Sequence, residues 1–272
     1  MTDSWRLLFE LEPMNGAWNM AVDEAILEAT GRRESLPTLR LYAWTPACLS
    51  LGYAQPIRDV DLAKLNMLGW DLVRRPTGGR AVLHVDELTY SVSGPVDEPR
   101  LEGTVLDSYS RVAVALLKAL HDLGLPVEVQ EHKKMKKGEV NPVCFQTSST
   151  YEITLDGKKL IGSAQVRRRE SMLQHGSLPL AGDLGRITQV LRYTDEEARR
   201  KARATLLQDA TTIESALGRV IAWEEASQAF IDAFTITLDL RLNPGVLSEG
   251  ENARARDLEK TKYSHLDWTA NK

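Results

Sequence analysis

The sequence of 272 residues contains only two cysteines, Cys48 and Cys144, and neither belongs to a CxxC or Cys/His spacing. A disulfide framework or a zinc site needs several ligands at short spacings, so neither is expected. The chain also lacks an apolar run long enough to span a bilayer. Its amino terminus lacks the basic-then-apolar pattern of a signal peptide. We therefore expect a cytoplasmic protein without metal or membrane segment.

A basic excess is also missing. The chain has 34 lysines and arginines against 38 aspartates and glutamates, a formal net charge of -4. This balance argues against a general nucleic-acid-binding protein. Four local basic clusters nevertheless occur, at Arg74-Arg75, Lys133–Lys137, Arg167–Arg169 and Arg199–Lys201. A charge run is usually a solvated face. Two of these clusters nevertheless flank the segment that holds the best candidates for catalytic residues.

Hydrophobic residues make up 43% of the chain, which is enough to fill a sizeable core. Apolar spacing predicts helices from about Gly16 to Thr30 and from Thr104 to about Gly124. Alternation predicts a hairpin or two neighbouring antiparallel strands within Arg80–Ser93. A second hairpin joins Thr150–Leu155 to Lys159–Val166 through Asp156-Gly157, a dipeptide typical of tight two-residue turns.

The last third of the sequence has helical patterns. Thr194 with Glu197 and Thr211 with Glu214 resemble capping boxes. Strands concentrated before these helices, without repeats or linkers, predict an α+β fold with a mostly antiparallel sheet and flanking helices. We expect this domain to cover residues 1–243 and a helical C-terminal extension, residues 244–272, to pack on it.

A paired-glycine segment, RRPTGGRAVLH, begins at Arg74 and ends at His84. Adjacent glycines allow positive φ and a close backbone approach, which exposes N–H groups to an oxyanion or a carbonyl. The segment is neither a Walker loop nor a GxGxxG turn. A plain structural turn and a ligand-binding loop both stay open as interpretations.

The two cysteines have different surroundings. Cys48 lies between apolar residues on a predicted strand, so we expect an inert core thiol. Cys144 follows an Asn-Pro turn and lies close in sequence to several lysines. Because nearby positive charge lowers the pKa of a thiol and so supplies thiolate, Cys144 is a candidate nucleophile.

Lys158 and Lys159 are adjacent, so in a strand they point to opposite faces of the sheet. One of them can face a partly dry pocket, where it would stabilise a thiolate or serve as a base. Two solvent-exposed lysines beside a turn are the alternative. The small residues Gly162-Ser163-Ala164 then offer room for a substrate, and His175 within LQHGSL is either pocket lining or structural.

The segments RRPTGGRAVLH, ELTYSV, DGKKLIGSAQ and LQHGSLPL, together with the isolated Cys144, resemble the biotin/lipoate protein ligase family in order and spacing. The resemblance covers nearly the whole chain. The opening WRLLFELEPMNGAWNMAVDEAIL and the tail LEKTKYSHLDW are most similar to the cysteine-dependent octanoyl-[acyl carrier protein]:protein N-octanoyltransferases of that family. One departure follows Cys144-Phe145: Gln146-Thr147-Ser148-Ser149 stands where the family often has CFxxPS.

The resemblance implies a fold related to the catalytic domain of biotin ligases. It also implies that Cys144 is the acyl-thioester nucleophile and that Lys159, not Lys158, lowers the pKa of this thiol. Ten further residues match motifs that line the acyl pocket: Arg74, Arg75, Gly78, Gly79, His84, Gly162, Ser163, Ala164, His175 and Gly176.

The implied activity transfers octanoyl from octanoyl-acyl carrier protein to a lysine of a lipoyl-domain protein, such as the glycine cleavage H protein. It belongs to lipoate biosynthesis and needs no cofactor. We expect a monomer whose clusters Lys133–Lys137 and Arg167–Arg169 dock acidic partner proteins. Three alternatives stay open: an ATP-dependent lipoate–protein ligase, an amidotransferase between lipoyl domains, and a non-catalytic acyl-binding protein.

Overall fold

The structure is a computed structural model that describes residues 3–131 and 151–270. The predictions for Cys144 and for Lys133–Lys137 lie outside these residues.

Two sheets form the framework. The eight strands of the large sheet are β1 (Ser4–Phe9), β2 (Thr38–Tyr42), β6 (Glu87–Pro95), β7 (Glu128–Glu131), β8 (Tyr151–Leu155), β9 (Lys158–Arg167), β10 (Ser171–Pro179) and β11 (Arg241–Pro244). The small sheet has β3 (Cys48–Leu51), β4 (Asp71–Arg74) and β5 (Val82–His84).

The large sheet has the strand order β11-β1-β2-β6-β10-β9-β8-β7. Strand β1 is parallel to both of its neighbours, β2 and β11. All other neighbouring pairs of this sheet are antiparallel. In the small sheet β3 lies between β4, to which it is parallel, and β5, to which it is antiparallel. The predicted α+β class with a mostly antiparallel sheet is confirmed.

The α-helices are α1 (Gly16–Gly31), α2 (Leu62–Met67), α3 (Val105–Asp122), α4 (Glu196–Asp209), α5 (Ile213–Leu217), α6 (Trp223–Thr237), α7 (Glu249–Leu258) and α8 (Leu266–Ala270). Short 3-10 helices occupy Ile57–Asp59 and Leu184–Gln189, and a π-helical segment covers Glu259–Tyr263. In the described part of the chain no helix is long and apolar enough to cross a membrane.

The two faces of the large sheet have different chemistry because side chains alternate along each strand. Leu88, Tyr90 and Val92 of β6 belong to the main core, together with residues of α3 and α6. Thr89 lies between them on the opposite face, where its hydroxyl accepts a hydrogen bond from Trp44. Helix α1 and the small sheet cover this second, more polar face, which we call the site face.

The predicted hairpin within Arg80–Ser93 is wrong. Strand β5 pairs with β3 in the small sheet, whereas β6 pairs with β2 and β10 in the large sheet. Val82 packs with Leu49 and Leu51 in a separate core cluster. Asp86 between the strands has a φ of 51°, which redirects the chain from one sheet to the other. Alternation predicted both strands but not their partners.

The hairpin around Asp156-Gly157 is confirmed, since β8 and β9 pair antiparallel across this turn. Asp156 has a φ of 49° and Gly157 a φ of 76°. Two consecutive positive φ values are what a type I′ turn requires, and Asp-Gly is a favoured pair for it. The turn therefore sets where Lys159 enters the sheet.

Both predicted helix caps lie one residue too early. Helix α4 is capped by Asp195, whose Oδ1 accepts the Ala198 N–H at 2.7 Å, and not by Thr194. Helix α5 is capped by Thr212, whose Oγ1 accepts the Ser215 N–H at 3.1 Å. At each helix start two adjacent residues have side chains that can cap, and the sequence prediction took the first of them. The backbone conformation decides which of the two caps the helix.

The C-terminal residues are joined to the rest of the chain by buried ion pairs. Arg6 binds both oxygens of Glu251 at 2.6 Å, and Glu251 is almost fully buried. Glu24 of α1 accepts hydrogen bonds from Lys262 at 2.6 Å and from the Tyr263 hydroxyl at 2.5 Å. The boundary predicted between residues 243 and 244 falls inside β11, which is a strand of the large sheet.

Candidate active site

A cavity lies between the site face, α1 and β5. Seven of the ten residues predicted to bind substrate line it: Arg75, His84, Gly162, Ser163, Ala164, His175 and Gly176. The lining also includes Met20, Tyr42, Trp44 and Val82. Apolar walls with a few convergent polar groups are typical of a binding site for a largely apolar ligand.

His175 connects the cavity to a buried carboxylate. Its Nδ1 lies 3.1 Å from Oδ2 of Asp23, and its Nε2 lies 2.7 Å from the hydroxyl of Thr77. Burial lowers the pKa of His175 by more than the Asp23 charge raises it. The imidazole is therefore neutral at neutral pH, donating from Nδ1 to Asp23 and accepting at Nε2 from Thr77.

Asp23 is the centre of this hydrogen-bond network. Its carboxylate accepts hydrogen bonds from Arg40 at 2.8 Å, from Tyr42 at 2.9 Å and from Ser91 at 2.9 Å. Burial alone would raise the pKa of Asp23, but the His175 hydrogen bond and the Arg40 charge outweigh it and hold the pKa below its ordinary value. The hydrogen-bonding capacity of the Asp23 carboxylate is thus fully satisfied.

His84 has a second, similar set of partners. Its Nδ1 lies 2.8 Å from Oε1 of Glu87, and its Nε2 lies 2.7 Å from the Ser50 hydroxyl. Arg75 donates to the same hydroxyl oxygen at 2.9 Å. The Ser50 hydroxyl therefore lies between the Arg75 guanidinium and Nε2 of His84, and the Glu87 carboxylate contacts the other ring nitrogen. The ring also stacks on Trp44, with centroids 4.0 Å apart.

Arg75 holds the paired-glycine loop in place. Its guanidinium donates to the carbonyls of Gly78 at 3.1 Å, Arg80 at 2.7 Å and Ser50 at 3.0 Å. The loop lies so close to Gly52 that a Cβ there would come within 1.9 Å of the Gly79 carbonyl oxygen. Gly78 and Gly79 are not among the described residues that line the cavity, and their role in binding substrate stays a prediction.

The prediction that Arg74 lines the pocket is corrected by its contacts. The side chain is 1% exposed, and its guanidinium donates to the carbonyl of Thr269 at 2.5 Å and to that of Gln55 at 2.6 Å. Adjacent residues on a strand face opposite ways, so only one of the two arginines can reach the cavity. Arg74 instead joins the C-terminal helix α8 to the small sheet.

Small residues bring β9 and β10 close together beside the cavity. A Cβ at Gly176 would lie 2.5 Å from the Tyr90 ring and 2.6 Å from the Ser163 hydroxyl. These two neighbours are themselves hydrogen-bonded at 2.7 Å. Glycine is therefore required at this position by close packing.

The structure separates the two lysines of the hairpin. Lys158 is exposed, whereas Lys159 is only 4% exposed and its Nζ lies 2.8 Å from Oε1 of Glu152. Glu152 is buried as well. Of the two interpretations of this pair, the structure supports the one with a single lysine turned away from solvent, and that lysine is Lys159.

Cys48 is a poor candidate for the nucleophile. The residue is fully buried, and burial raises the pKa of its thiol, with a further increase from the negative charges of Asp71 and Glu87. The expectation of an inert core thiol is confirmed. Within residues 3–131 and 151–270 no cluster of three or more His, Cys, Asp or Glu side chains could hold a metal ion.

Sequence reasoning missed Asp23, Glu87 and Glu152. The sequence held a signal for Asp23, because Asp23-Glu24 interrupts the apolar stripe of a helix that covers a sheet. An acidic residue on a buried helix face needs a cationic or hydrogen-bonding partner. No comparable signal pointed to Glu87 or Glu152, since alternating strands often place acidic residues towards solvent.

A comparison with protein-family models matches residues 15–235 to the lipoyl protein ligase A/B catalytic domain. The chain belongs to this family. Curated relatives include an octanoyltransferase LipM from Carboxydothermus hydrogenoformans, 39% identical with 98% of each chain covered. The octanoyltransferase LipM of Moorella thermoacetica is 41% identical, and the match covers 98% of this chain and 97% of the relative.

Solved structures of the family have the same fold. The bipartite lipoate protein ligase of Thermoplasma acidophilum matches with a TM-score of 0.80 at 27% identity, covering 98% of this chain and 96% of that one. A lipoate-protein ligase A bound with ATP matches with a TM-score of 0.78 at 26% identity, covering 99% of each chain. The family assignment predicted from the sequence motifs is confirmed.

Proposed function

We propose that this protein is a cytoplasmic octanoyltransferase of lipoate biosynthesis, which moves octanoyl from octanoyl-acyl carrier protein to a lysine of a lipoyl-domain protein. The observation that carries the proposal is the match to curated octanoyltransferases at 37–41% identity over at least 97% of both chains. Similarity of this extent includes the cavity as well as the framework. The proposed acceptor is supported by the similarity to the bi-partite lipoate protein ligase of Thermoplasma acidophilum, which belongs to a lipoylation system with an E2 lipoyl domain.

The proposed chemistry has two steps. The Cys144 thiolate attacks the thioester carbonyl of the donor, the new carbon–sulfur bond forms, and the carrier thiolate leaves and takes up a proton. The acceptor amine then attacks the Cys144 thioester, loses a proton as the amide forms, and releases the Cys144 thiolate. Both donors are already activated thioesters, so the reaction needs neither ATP nor another cofactor.

The described residues support specific roles in this reaction. The buried ammonium of Lys159 is suited to stabilise a thiolate, since a cation in a low-dielectric site favours the charged form of a neighbouring thiol. The apolar cavity walls suit the octanoyl chain. The polar end of the cavity is formed by His84, His175 and Arg75. We propose that the protein acts as a monomer and binds no nucleic acid.

An ATP-dependent lipoate–protein ligase is the main rival, because the ligase A structure bound with ATP has the same fold. A ligase makes its own activated acyl-adenylate and has no need of a cysteine. A third possibility, the amidotransferase, takes its acyl group from another lipoyl domain. The three activities differ in the donor that each one uses.

A comparison of donors separates them. The purified protein is incubated with an unmodified lipoyl domain and one of three donors: octanoyl-acyl carrier protein, octanoate with ATP and Mg²⁺, or an octanoylated lipoyl domain of different mass. Intact-mass measurement then follows octanoylation of the acceptor over time. We expect fast modification with the carrier donor and without ATP. Modification only with octanoate and ATP would contradict the proposal.

A further inference from the structure

Lys159 reaches Glu152 because of an irregularity in the pairing of β8 with β9. Ile153 lies opposite Ile161, but the next residue, Thr154, lies opposite Lys159 and not Leu160. One extra residue on β9 is therefore accommodated in a β-bulge, which turns the side chains that follow. In a regular ladder, Leu160 would lie opposite Thr154 and Lys159 would point to the other face.

The bulge has two consequences for burial. Leu160 and Ile161 both belong to the main core, although they are adjacent. Lys159 lies on the same face as Thr154 and Glu152, which is opposite to the face of Ile153. By the same alternation Gly162, which lines the cavity, is on the face opposite to Ile161. Lys159, Glu152 and Gly162 therefore share the site face.

The backbone of Lys159 is fixed from a third direction. Its carbonyl accepts the N–H of Thr211 at 3.0 Å, and it forms an isolated bridge with Ala210. The side chain thus projects from a backbone position that both the hairpin and the segment after α4 determine. A carboxylate at 2.8 Å then sets the position of the ammonium at its end.

We infer that Glu152 is a positioning residue, which keeps the Lys159 ammonium charged and fixed on the site face. The inference rests on the proposed function in giving this cation the task of stabilising the catalytic thiolate. Burial disfavours a charged amine, and an opposite charge in contact compensates for that cost. Lys159 accordingly serves as a fixed cation whose position depends on Glu152.

The test compares Glu152→Gln, which removes the charge at nearly constant size, with Glu152→Asp, which keeps it. Glu128→Gln is the matched control, because Glu128 is an exposed residue on β7 of the same sheet. The rate of Cys144 alkylation by iodoacetamide is measured against pH. We expect Glu152→Gln to move the midpoint of this pH–rate profile upwards by about one pH unit. The midpoints of Glu152→Asp and Glu128→Gln should stay near that of wild type.

A second measurement reports on Lys159 itself. In protein labelled with ¹³C at the lysine ε-carbons, the Lys159 signal is assigned by its loss in Lys159→Arg and titrated in wild type and in Glu152→Gln. We expect a lower titration midpoint in Glu152→Gln. Equal midpoints in the two proteins would overturn the inference, and so would a Glu152→Asp variant whose Lys159 midpoint is as low as that of Glu152→Gln.

The two readouts separate this inference from the proposed function. If Lys159→Ala shifts the alkylation midpoint and Glu152→Gln does not, Glu152 has no positioning role and the thiolate proposal stands. If the Lys159 titration depends on Glu152 but Cys144 forms no acyl adduct, the ion pair is as inferred and the octanoyl-transfer mechanism fails.

Discussion

Nδ1 of His175 lies 3.1 Å from Oδ2 of Asp23, and both side chains are buried between α1 and β10. These residues are 152 positions apart in the sequence, and their contact connects the helix that covers the site face to a strand that lines the cavity. Because the same carboxylate binds Arg40, the contact joins the polar wall of the cavity to a buried charge pair.

The pH dependence of stability follows from these two groups. Burial lowers the pKa of His175 from its ordinary value of 6.5, and the pKa of Asp23 is held below 3.8 against the effect of burial. For each, the unfolded chain binds a proton more readily than the folded one. The contribution of each group to the free energy of unfolding is therefore complete above its ordinary pKa and is lost as the pH falls. Urea unfolding should show a constant free energy at pH 7 to 8 and a decline below about 6.5.

His175→Gln should reduce the part of that decline that lies near pH 6. The control is His265→Gln, since His265 is exposed. An unfolding free energy of His175→Gln that falls between pH 7 and 5 as steeply as that of wild type would show that another group titrates there.

Asp23→Ala should be strongly destabilising. The substitution removes the carboxylate and leaves the buried Arg40 guanidinium without it, and breaking such a pair costs about 3–5 kcal/mol. Chemical denaturation at pH 7.5 measures the free energy of unfolding. A loss below about 1 kcal/mol would mean that Arg40 has adequate partners without Asp23.

Substitution of Arg74 should reduce the stability of the protein. Arg74→Ala should lower the free energy of unfolding by about 2–4 kcal/mol, because several buried carbonyl groups lose a charged donor. Arg58→Ala, at an exposed arginine, is the control and should change it by less than about 0.5 kcal/mol. An Arg74→Ala protein of wild-type stability with impaired substrate binding would restore the original pocket-lining prediction.

Gly176→Ala should disrupt the site by overpacking. The added methyl group meets the Tyr90 ring and the Ser163 hydroxyl at less than 3 Å, and overpacking of this kind costs about 1–3 kcal/mol. Gly250→Ala is the control, because the nearest atom to its added Cβ is 4.0 Å away and the residue lies in α7. Gly250→Ala should be neutral or stabilising. Equal thermal stability of the two variants would contradict the packing argument.

The sequence predicted those parts of the site that depend on local pattern. The Asp156-Gly157 turn and strand alternation were sufficient to predict the β8–β9 hairpin, and the packed structure then showed that Lys159 is its buried lysine. Local pattern carries no information about which strands become neighbours. The partners of β5 and β6, and with them the place of the His84 side chain, therefore required the folded structure.

Long-range polar contacts were equally inaccessible to sequence reasoning. Asp23 and His175 have no pattern in common, and the bulge that turns Lys159 to Glu152 depends on the packing of Leu160 and Ile161 together in the core. Motif resemblance named most of the cavity residues but also included Arg74. Its neighbour Arg75 faces the cavity, and the sequence alone does not show which of two adjacent arginines does so.

The central claim is that Cys144 carries the octanoyl group. The most direct test incubates wild type, Cys144→Ala and the matched Cys48→Ala with octanoyl-acyl carrier protein without ATP, and then measures intact mass before and after hydroxylamine. We expect one hydroxylamine-sensitive octanoyl adduct in wild type and in Cys48→Ala, mapped to Cys144, and none in Cys144→Ala. An adduct that persists in Cys144→Ala, or a Cys144→Ala protein with full transfer activity, would contradict this claim.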